Sequence, residues 1–400
     1  MPITPFTIHV PDDVLSDLRA RILHTRWPDR AQGAAWEQGT DLDYLQRLLD
    51  HWAHGFDWRV QERRLNAFKH FHAELGGTRI HFVHERAREG KGLPLILTHG
   101  WPSSFLELLP LVPLLTNPRA HGIDAPAFDL VIPSLPGYGF SERPAQTHYR
   151  TVARLWHELM RGLGYERYGA GGGDFGAGVA TYLALENPSA MIGIHLTTME
   201  LWPPTGEGTR PLTEAESVYV AQVRQWDEVE RGYSALQSTR PQTLGYALND
   251  SPAGLAAWIL EKWRAWSDSK GDLEGHFSQD FLLTMLTLYW ATETITPSMR
   301  DYFDNRCMGW IFNPAIVWGS PRALPTSTIT TCQKEARRGN GSSVCTTCVG
   351  GPPCRAAVTL APWRSPSVLR GISQPSLRGS DYAIKDPVAP RNDSRSVVTR

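Results

Sequence analysis

The chain has 400 residues, a formal net charge of −1, 41% hydrophobic residues and 20% charged residues. That length supports a large core with further subdomains, and the near-neutral balance excludes an electrostatic match to nucleic acid or to an acidic membrane surface. No stretch approaches the ~18 apolar residues needed to cross a bilayer, and the opening MPITPFTIHV has neither the basic start nor the apolar run of a signal peptide, so a soluble, cytoplasmic protein without a transmembrane anchor is expected.

The first 75 residues read as a helical arm. Asp12 or Asp13 can cap a helix carrying Val14, Leu15, Leu18 and Ile22 on one face, and Asp41 can cap a second with Leu42, Leu45, Leu48, Leu49 and Trp52 at helical spacing. An aromatic connector around Trp27, Pro28 and Trp36 joins them. The pattern changes at Gly76-Gly77, a turn signal. From residue 76 to about 200, strand-like segments alternate with helices. Thr78 to Val83 alternates; Leu93 to Thr98 runs into His99-Gly100-Trp101-Pro102; Phe128 to Ile132 runs into Pro133-Ser134-Leu135-Pro136-Gly137. A helix bearing Val152, Leu155, Trp156, Leu159 and Leu163 follows, then a Gly-rich strand end, a helix from about Gly178 to Leu185 and a strand around Ile192 to Leu196. This alternation predicts an α/β fold with a parallel sheet, whose chemistry gathers at the C-terminal strand ends. Residues 201–310, mostly helical and rich in aromatics such as Trp258, Trp263, Trp266, Tyr289 and Trp290, read as a lid over that sheet.

At one of those strand ends lies Gly172-Gly173-Asp174-Phe175-Gly176. A nucleophile on a tight strand-to-helix turn needs small neighbours, which Gly172 and Gly176 supply, and the helix start favours an anion there. The Phe175 amide can donate to an oxyanion, and the amide of Trp101, in a loop where Gly100 permits close backbone approach, is the natural second donor. A carboxylate in the place of the more familiar serine points to a hydrolase that works through an ester. Gly171-x-Gly173-x-x-Gly176 also matches a dinucleotide-binding fingerprint, but Asp174 would then repel the pyrophosphate, and this is not the first strand-helix unit.

Residues 1 to about 320 resemble the epoxide hydrolases of the microsomal and juvenile-hormone type. The resemblance rests on Thr98-His99-Gly100-Trp101-Pro102, on Pro136-Gly137-Tyr138-Gly139-Phe140-Ser141, on the Asp174 turn, and on Ala247-Leu248-Asn249-Asp250-Ser251-Pro252-Ala253-Gly254-Leu255-Ala256. Phe175 stands where the family usually has Trp. The resemblance implies an α/β-hydrolase fold with a helical N-terminal extension and a helical lid. It implies Asp174 as nucleophile, Trp101 and Phe175 as oxyanion donors, and Tyr233 and Tyr302 as the phenols that hold and protonate the epoxide oxygen, with Tyr246, Tyr289 and Tyr138 as nearby alternatives. His99, Gly100, Pro102, Gly172 and Gly176 support the motif. It further implies a small hydrophobic epoxide as substrate, a vicinal diol as product, no cofactor and no metal; a homodimer is compatible with it. A haloalkane dehalogenase shares the Asp turn, though not the tyrosine pair or the arm, and a catalytically dead relative that binds apolar ligands is the reading from another class.

One family element has no counterpart. The resemblance calls for a base in a C-terminal Gly-Gly-His-Phe segment, oriented by an acid, yet no histidine follows His276, which sits in the lid, and Glu335 has position without a supporting motif. Residues 321–400 carry 12 Lys+Arg against 4 Asp+Glu and, of 40 aromatics in the chain, only Trp363 and Tyr382. Residues 311–400 are therefore expected to be a non-family tail, largely disordered and arising from a shifted reading frame or decay; its Cys332, Cys345, Cys348 and Cys354 are incidental rather than a metal site. A chain of this kind is expected to turn over weakly.

Overall fold

The computed structural model describes residues 1–197, 203, 209–308 and 329–331. In chain order the first part comprises β1 (Ile3–Phe6), α1 (Asp12–Leu23), α2 (Leu42–His54), α3 (Trp58–Leu65), β2 (His70–Leu75), β3 (Thr78–Glu85) and β4 (Leu93–Thr98). Then come α4 (Leu111–Thr116), β5 (Phe128–Pro133), α5 (Tyr149–Gly162), β6 (Tyr168–Gly173), α6 (Phe175–Glu186) and β7 (Met191–Thr197). Six helices follow: α7 (Glu214–Glu230), α8 (Gly232–Thr239), α9 (Pro241–Leu248), α10 (Pro252–Trp266), α11 (Gln279–Ala291) and α12 (Ile295–Met308). The short strand β8 (Ile329–Thr331) closes the described chain.

The eight strands form one sheet in the order β1-β2-β3-β5-β4-β6-β7-β8. It is mixed rather than parallel. β1, β2, β3 and β5 pair antiparallel, whereas β5, β4, β6, β7 and β8 run parallel. Alternating strands and helices predict the parallel half correctly. The antiparallel half arises because Gly76 and Gly77 both take positive φ, 53° and 79°, the geometry of a two-residue hairpin that folds β3 directly back on β2. The arm expected to be helical thus also supplies β1 and β2. Neither shows a clean apolar alternation, so pairing decides their state, β2 with β3 and β1 with β2. β8 adds a strand beyond β7 in a segment where the sequence reading had none; the rest of residues 311–400, including Glu335, Cys332, Cys345, Cys348 and Cys354, lies outside the described residues.

Local signals explain several helix starts. The Asp41 carboxylate accepts from the Tyr44 amide and caps α2, Thr213 and Glu216 form a reciprocal capping box on α7, and Ser251 caps α10 by accepting from Gly254. α1 departs from expectation: Pro11 occupies its cap position without a side-chain bond, and Asp12 and Asp13 sit in the first turn, where their charges favour the positive end of the helix dipole. The N-terminal helices clasp the later ones. The Trp52 indole donates to Thr287 at 2.9 Å, the Thr40 hydroxyl to the Ala257 carbonyl at 2.7 Å, and Arg21 pairs with Asp250. No helix among the described residues is long and apolar enough to cross a membrane.

Buried imidazoles tie the arm to the sheet. His70 Nε2 meets the Leu65 carbonyl at 2.8 Å, His70 Nδ1 meets His81 Nε2 at 2.9 Å, and His81 Nδ1 meets the Ser134 hydroxyl at 2.9 Å. Burial holds both rings below the usual imidazole range. Neutral rings fix the direction: Ser134 donates to His81, His81 to His70, and His70 to Leu65. Burial likewise lowers His84 and His99 to about 4 from the ordinary 6.5.

Each of these groups is neutral when folded and takes a proton more readily when unfolded. Their stability contribution is therefore complete above 6.5 and is lost as pH falls toward 4. Lowering the pH from 7 to 5 should cost on the order of 2 kcal/mol for each of His84 and His99. Denaturant titrations at the two pH values, with proton uptake on unfolding measured at pH 5, check this; a midpoint that does not move would refute it.

Candidate active site

In the sheet order, the chain leaves β4 toward β5 on one side, while β6 lies on the other. The loops following β4 and β6 diverge above neighbouring strands and open the crevice in which α/β sheets place their ligands. Asp174 follows β6 there with φ 52° and ψ −123°, strained for a residue with a side chain. The turn is crowded. A Cβ on Gly172 would lie 2.5 Å from the Gly176 carbonyl carbon, one on Gly176 2.0 Å from the Thr98 carbonyl oxygen, and one on Gly100 2.5 Å from Cβ of Asp174. Three glycines let α6 start directly against the end of β4. α6 is then buried along most of its length, as its apolar sequence requires.

The loop after β4 closes on this turn. The Trp101 amide donates to Asp174 Oδ1 at 2.9 Å, and Phe175 occupies the first position of α6, where amides have no carbonyl one turn earlier to bind. His99 holds the loop from within: the Leu135 amide donates to its Nε2 at 3.1 Å, leaving Nδ1 to donate to the Gly100 carbonyl at 3.1 Å. That fixes its tautomer and, with its lowered pKa, gives it a positioning function. The helices following β7 hold the loop from outside. Trp263 on α10 donates to the Pro102 carbonyl at 3.0 Å, Tyr289 on α11 to the Ser103 carbonyl at 2.7 Å, and the Ser104 hydroxyl contacts Met285 Sδ at 3.2 Å. The Trp101-Pro102 peptide is cis.

Two phenols complete the cluster. Tyr233 on α8 stacks on Trp101, with ring centroids 5.2 Å apart and planes 5° from parallel. Tyr302 on α12 meets Tyr233 edge-on at 5.7 Å, Trp101 at 5.7 Å and Phe175 at 4.9 Å. The Tyr302 hydroxyl is buried without a well-formed hydrogen bond among the described residues. Burial, then the Asp174 charge and the neighbouring Tyr233, push its pKa well above the usual value, so it stays protonated and able to donate. Next to it, burial raises Asp301 to about 8, against the lowering influence of the Thr147 hydroxyl that bonds it. Asp301 is thus mainly protonated at neutral pH; it ties α12 to the loop before α5 and adds little negative charge beside Asp174.

Asp174, Trp101, Phe175, Tyr233 and Tyr302, singled out separately along the sequence, meet at this one place, with His99, Gly100, Pro102, Gly172 and Gly176 around them. The alternative phenols do not join as donors. Tyr246 is 71% exposed, and the hydroxyls of Tyr138 and Tyr289 are buried and engaged by the carbonyls of Ser298 and Ser103. His276 lies in the turn between α10 and α11. Trp263, Met285 and Asp301 also bear on the site without a sequence motif that marks them; for Trp263 the aromatic run of α10 is the visible signal. No group of His, Cys, Asp and Glu among the described residues is arranged to hold a metal ion.

Comparison with known proteins gives a consistent neighbourhood. Residues 3–108 match the family described as epoxide hydrolase N terminus, and residues 94–235 match the alpha/beta hydrolase fold. A protein of Stigmatella aurantiaca described as an epoxide hydrolase is 47% identical over 306 residues, which span 76% of this chain and 69% of that protein. Epoxide hydrolase 1 of Sus scrofa is 36% identical over 344 residues, 78% of this chain and 74% of that one. Among solved structures, the juvenile hormone epoxide hydrolase of Bombyx mori is 32% identical and covers 76% of each chain with a TM-score of 0.65. The Aspergillus niger epoxide hydrolase is 31% identical with a TM-score of 0.66, covering 79% of this chain and 80% of its own.

The crowding at the Asp174 turn is testable by stability. Gly176→Ala should destabilise by about 3 kcal/mol or more, or prevent folding, because its methyl would meet the Thr98 carbonyl, which is backbone and cannot rotate away. Gly193→Ala in β7, where a Cβ has nothing within 4 Å, should shift stability by less than about 0.5 kcal/mol. Equal denaturation midpoints for the two variants would remove the steric account.

Proposed function

The chain belongs to the epoxide hydrolases of the α/β-hydrolase fold, and from the geometry of its site we propose that it opens a hydrophobic epoxide through a covalent ester on Asp174. The observation that carries this reading is the convergence of a carboxylate, a backbone amide bonded to it at 2.9 Å, and two phenols around one crevice. An epoxide is strained, but its departing oxygen is a poor leaving group, so a donor with the acidity of a phenol is useful. Asp174 attacks a ring carbon while Tyr302 or Tyr233 gives its proton to the oxygen, leaving an ester and a free hydroxyl. The aromatic walls formed by Trp101, Phe175 and Trp266 favour an apolar substrate.

Release of the diol requires water to attack the Asp174 carbonyl carbon. The Trp101 amide is already directed at Oδ1, and with the Phe175 amide it would receive the negative charge that develops there. This half-reaction also needs a base, normally an imidazole oriented by a carboxylate. The sequence has no histidine beyond His276, so we propose that ring opening outpaces ester hydrolysis and the enzyme is slow to turn over.

Incubation with styrene oxide followed by peptide mass spectrometry tests both parts. One adduct per chain on the Asp174 peptide, persisting for many minutes, is expected; Asp174→Ala should abolish it, and Tyr302→Phe should slow its formation by about 10²-fold or more. Sustained turnover with no adduct would show that another group serves as base. No adduct and no diol would overturn the reading of the site.

A further inference from the structure

Lys262 is 7% exposed, on a face of α10 that carries Ile259, Trp263 and Trp266. An ammonium is rarely buried unless it is paired. Its Nζ lies 5.2 Å from the centroid of the Tyr233 ring and 5.6 Å from that of Trp266. Glu261 pairs with it directly, and Glu230 stands 3.9 Å away while accepting from the Trp266 indole at 3.0 Å. Tyr233 therefore contacts an ammonium as well as the Trp101 indole.

We propose that Lys262 is a positioning residue that makes Tyr233 the stronger proton donor of the two phenols. The inference rests on the reading of Asp174 and Tyr233 given above. When an Asp174 oxygen bonds to the ring carbon, the carbon–oxygen bond of the epoxide breaks, its oxygen takes the Tyr233 proton, and a phenolate remains. A cation over the ring face attracts the electron-rich phenolate more strongly than the neutral phenol, so it favours the product of that transfer. Among the described residues, Lys262 from α10 and Tyr302 from α12 lie against this phenol; Glu261 from α10 and Glu230 from α7 stand on Lys262, and the Asp174 charge acts on Tyr302. The two glutamates outweigh the ammonium in net charge at long range, but the ammonium is the group set against the ring faces, and its influence is concentrated there. Among the described residues no cation is recorded over the Tyr302 ring, and burial and the Asp174 charge both act to keep its proton on.

Single-turnover alkylation of Asp174, followed by tryptophan fluorescence and mass spectrometry between pH 6 and 10, tests the assignment. Lys262→Met keeps length and apolarity while removing the charge. It is expected to slow alkylation by an unactivated 1,2-epoxyalkane about tenfold, slow epichlorohydrin less because its alkoxide leaves more easily, and move the alkaline limb of the rate up by about one pH unit. Lys262→Arg should restore most of the rate. Glu261→Gln, which leaves the ammonium less neutralised, should move the same limb down, and it decides the matter should the Met variant not fold. An unchanged limb in a folded Lys262→Met or Glu261→Gln protein, or equal losses with both epoxides and no rescue by arginine, would reduce Lys262 to a structural ion pair and overturn the inference. A wild-type chain that never forms the Asp174 adduct would instead sink the reading of the site itself.

Discussion

The start of α6 against the end of β4 is the contact on which the rest of the site depends. Gly176 lies so close to the Thr98 carbonyl that no side chain fits between them, and Gly172 and Gly100 extend the same close approach to either side. Bringing the two backbones together forces Asp174 to a positive φ. That conformation costs about 1–3 kcal/mol, which the surrounding packing must offset. In return the Asp174 carboxylate and the Trp101 amide, 73 residues apart, come within a hydrogen bond of each other. Strain in the turn and electrostatic organisation of the site are therefore two aspects of one packing constraint.

The helices after β7 do more than cover this crevice. Trp263, Tyr289 and Met285 hold the loop from Pro102 to Ser104 through a carbonyl, a second carbonyl and a hydroxyl, so α10 and α11 position the amide that faces Asp174. α8 and α12 contribute the phenols, and Asp301 anchors α12 to the loop before α5 next to Tyr302. The N-terminal helices grip α10 and α11 in turn, through Thr40, Trp52 and Arg21. An arm with no reactive group of its own thus bears on the site at one remove. The His70–His81–Ser134 chain does the same from the other side, tying β2 and β3 to the loop that donates to His99.

Electrostatics within the cluster separate groups of similar chemistry. Asp301 is pushed up by burial, leaving Asp174 as the carboxylate bonded to a backbone amide. Tyr302 has a buried hydroxyl near that carboxylate, whereas Tyr233 has an ammonium at its ring. Two phenols at one crevice are thereby given unequal surroundings, and Asp301 is set apart from Asp174 by burial rather than by residue type.

Features that depend on short-range spacing are legible in the chain itself. The glycine pattern around Asp174, the His99-Gly100-Trp101-Pro102 loop, the capping residue Asp41 and the Gly76-Gly77 turn all act within a few residues, and each stands where expected. Tertiary structure decided what depends on pairing across long separations. β1 and β2 have too little alternation to declare themselves, and they become strands because β3 offers an edge to β2 and β2 offers one to β1. Trp263 and Lys262 read as part of an aromatic helix face. The positions of β4 and β6 set one of them against the Pro102 carbonyl and the other beside Tyr233. Residue type determines which bonds a side chain can make; the fold determines which partner is within reach, because contact distance is set by backbones that meet from distant parts of the chain.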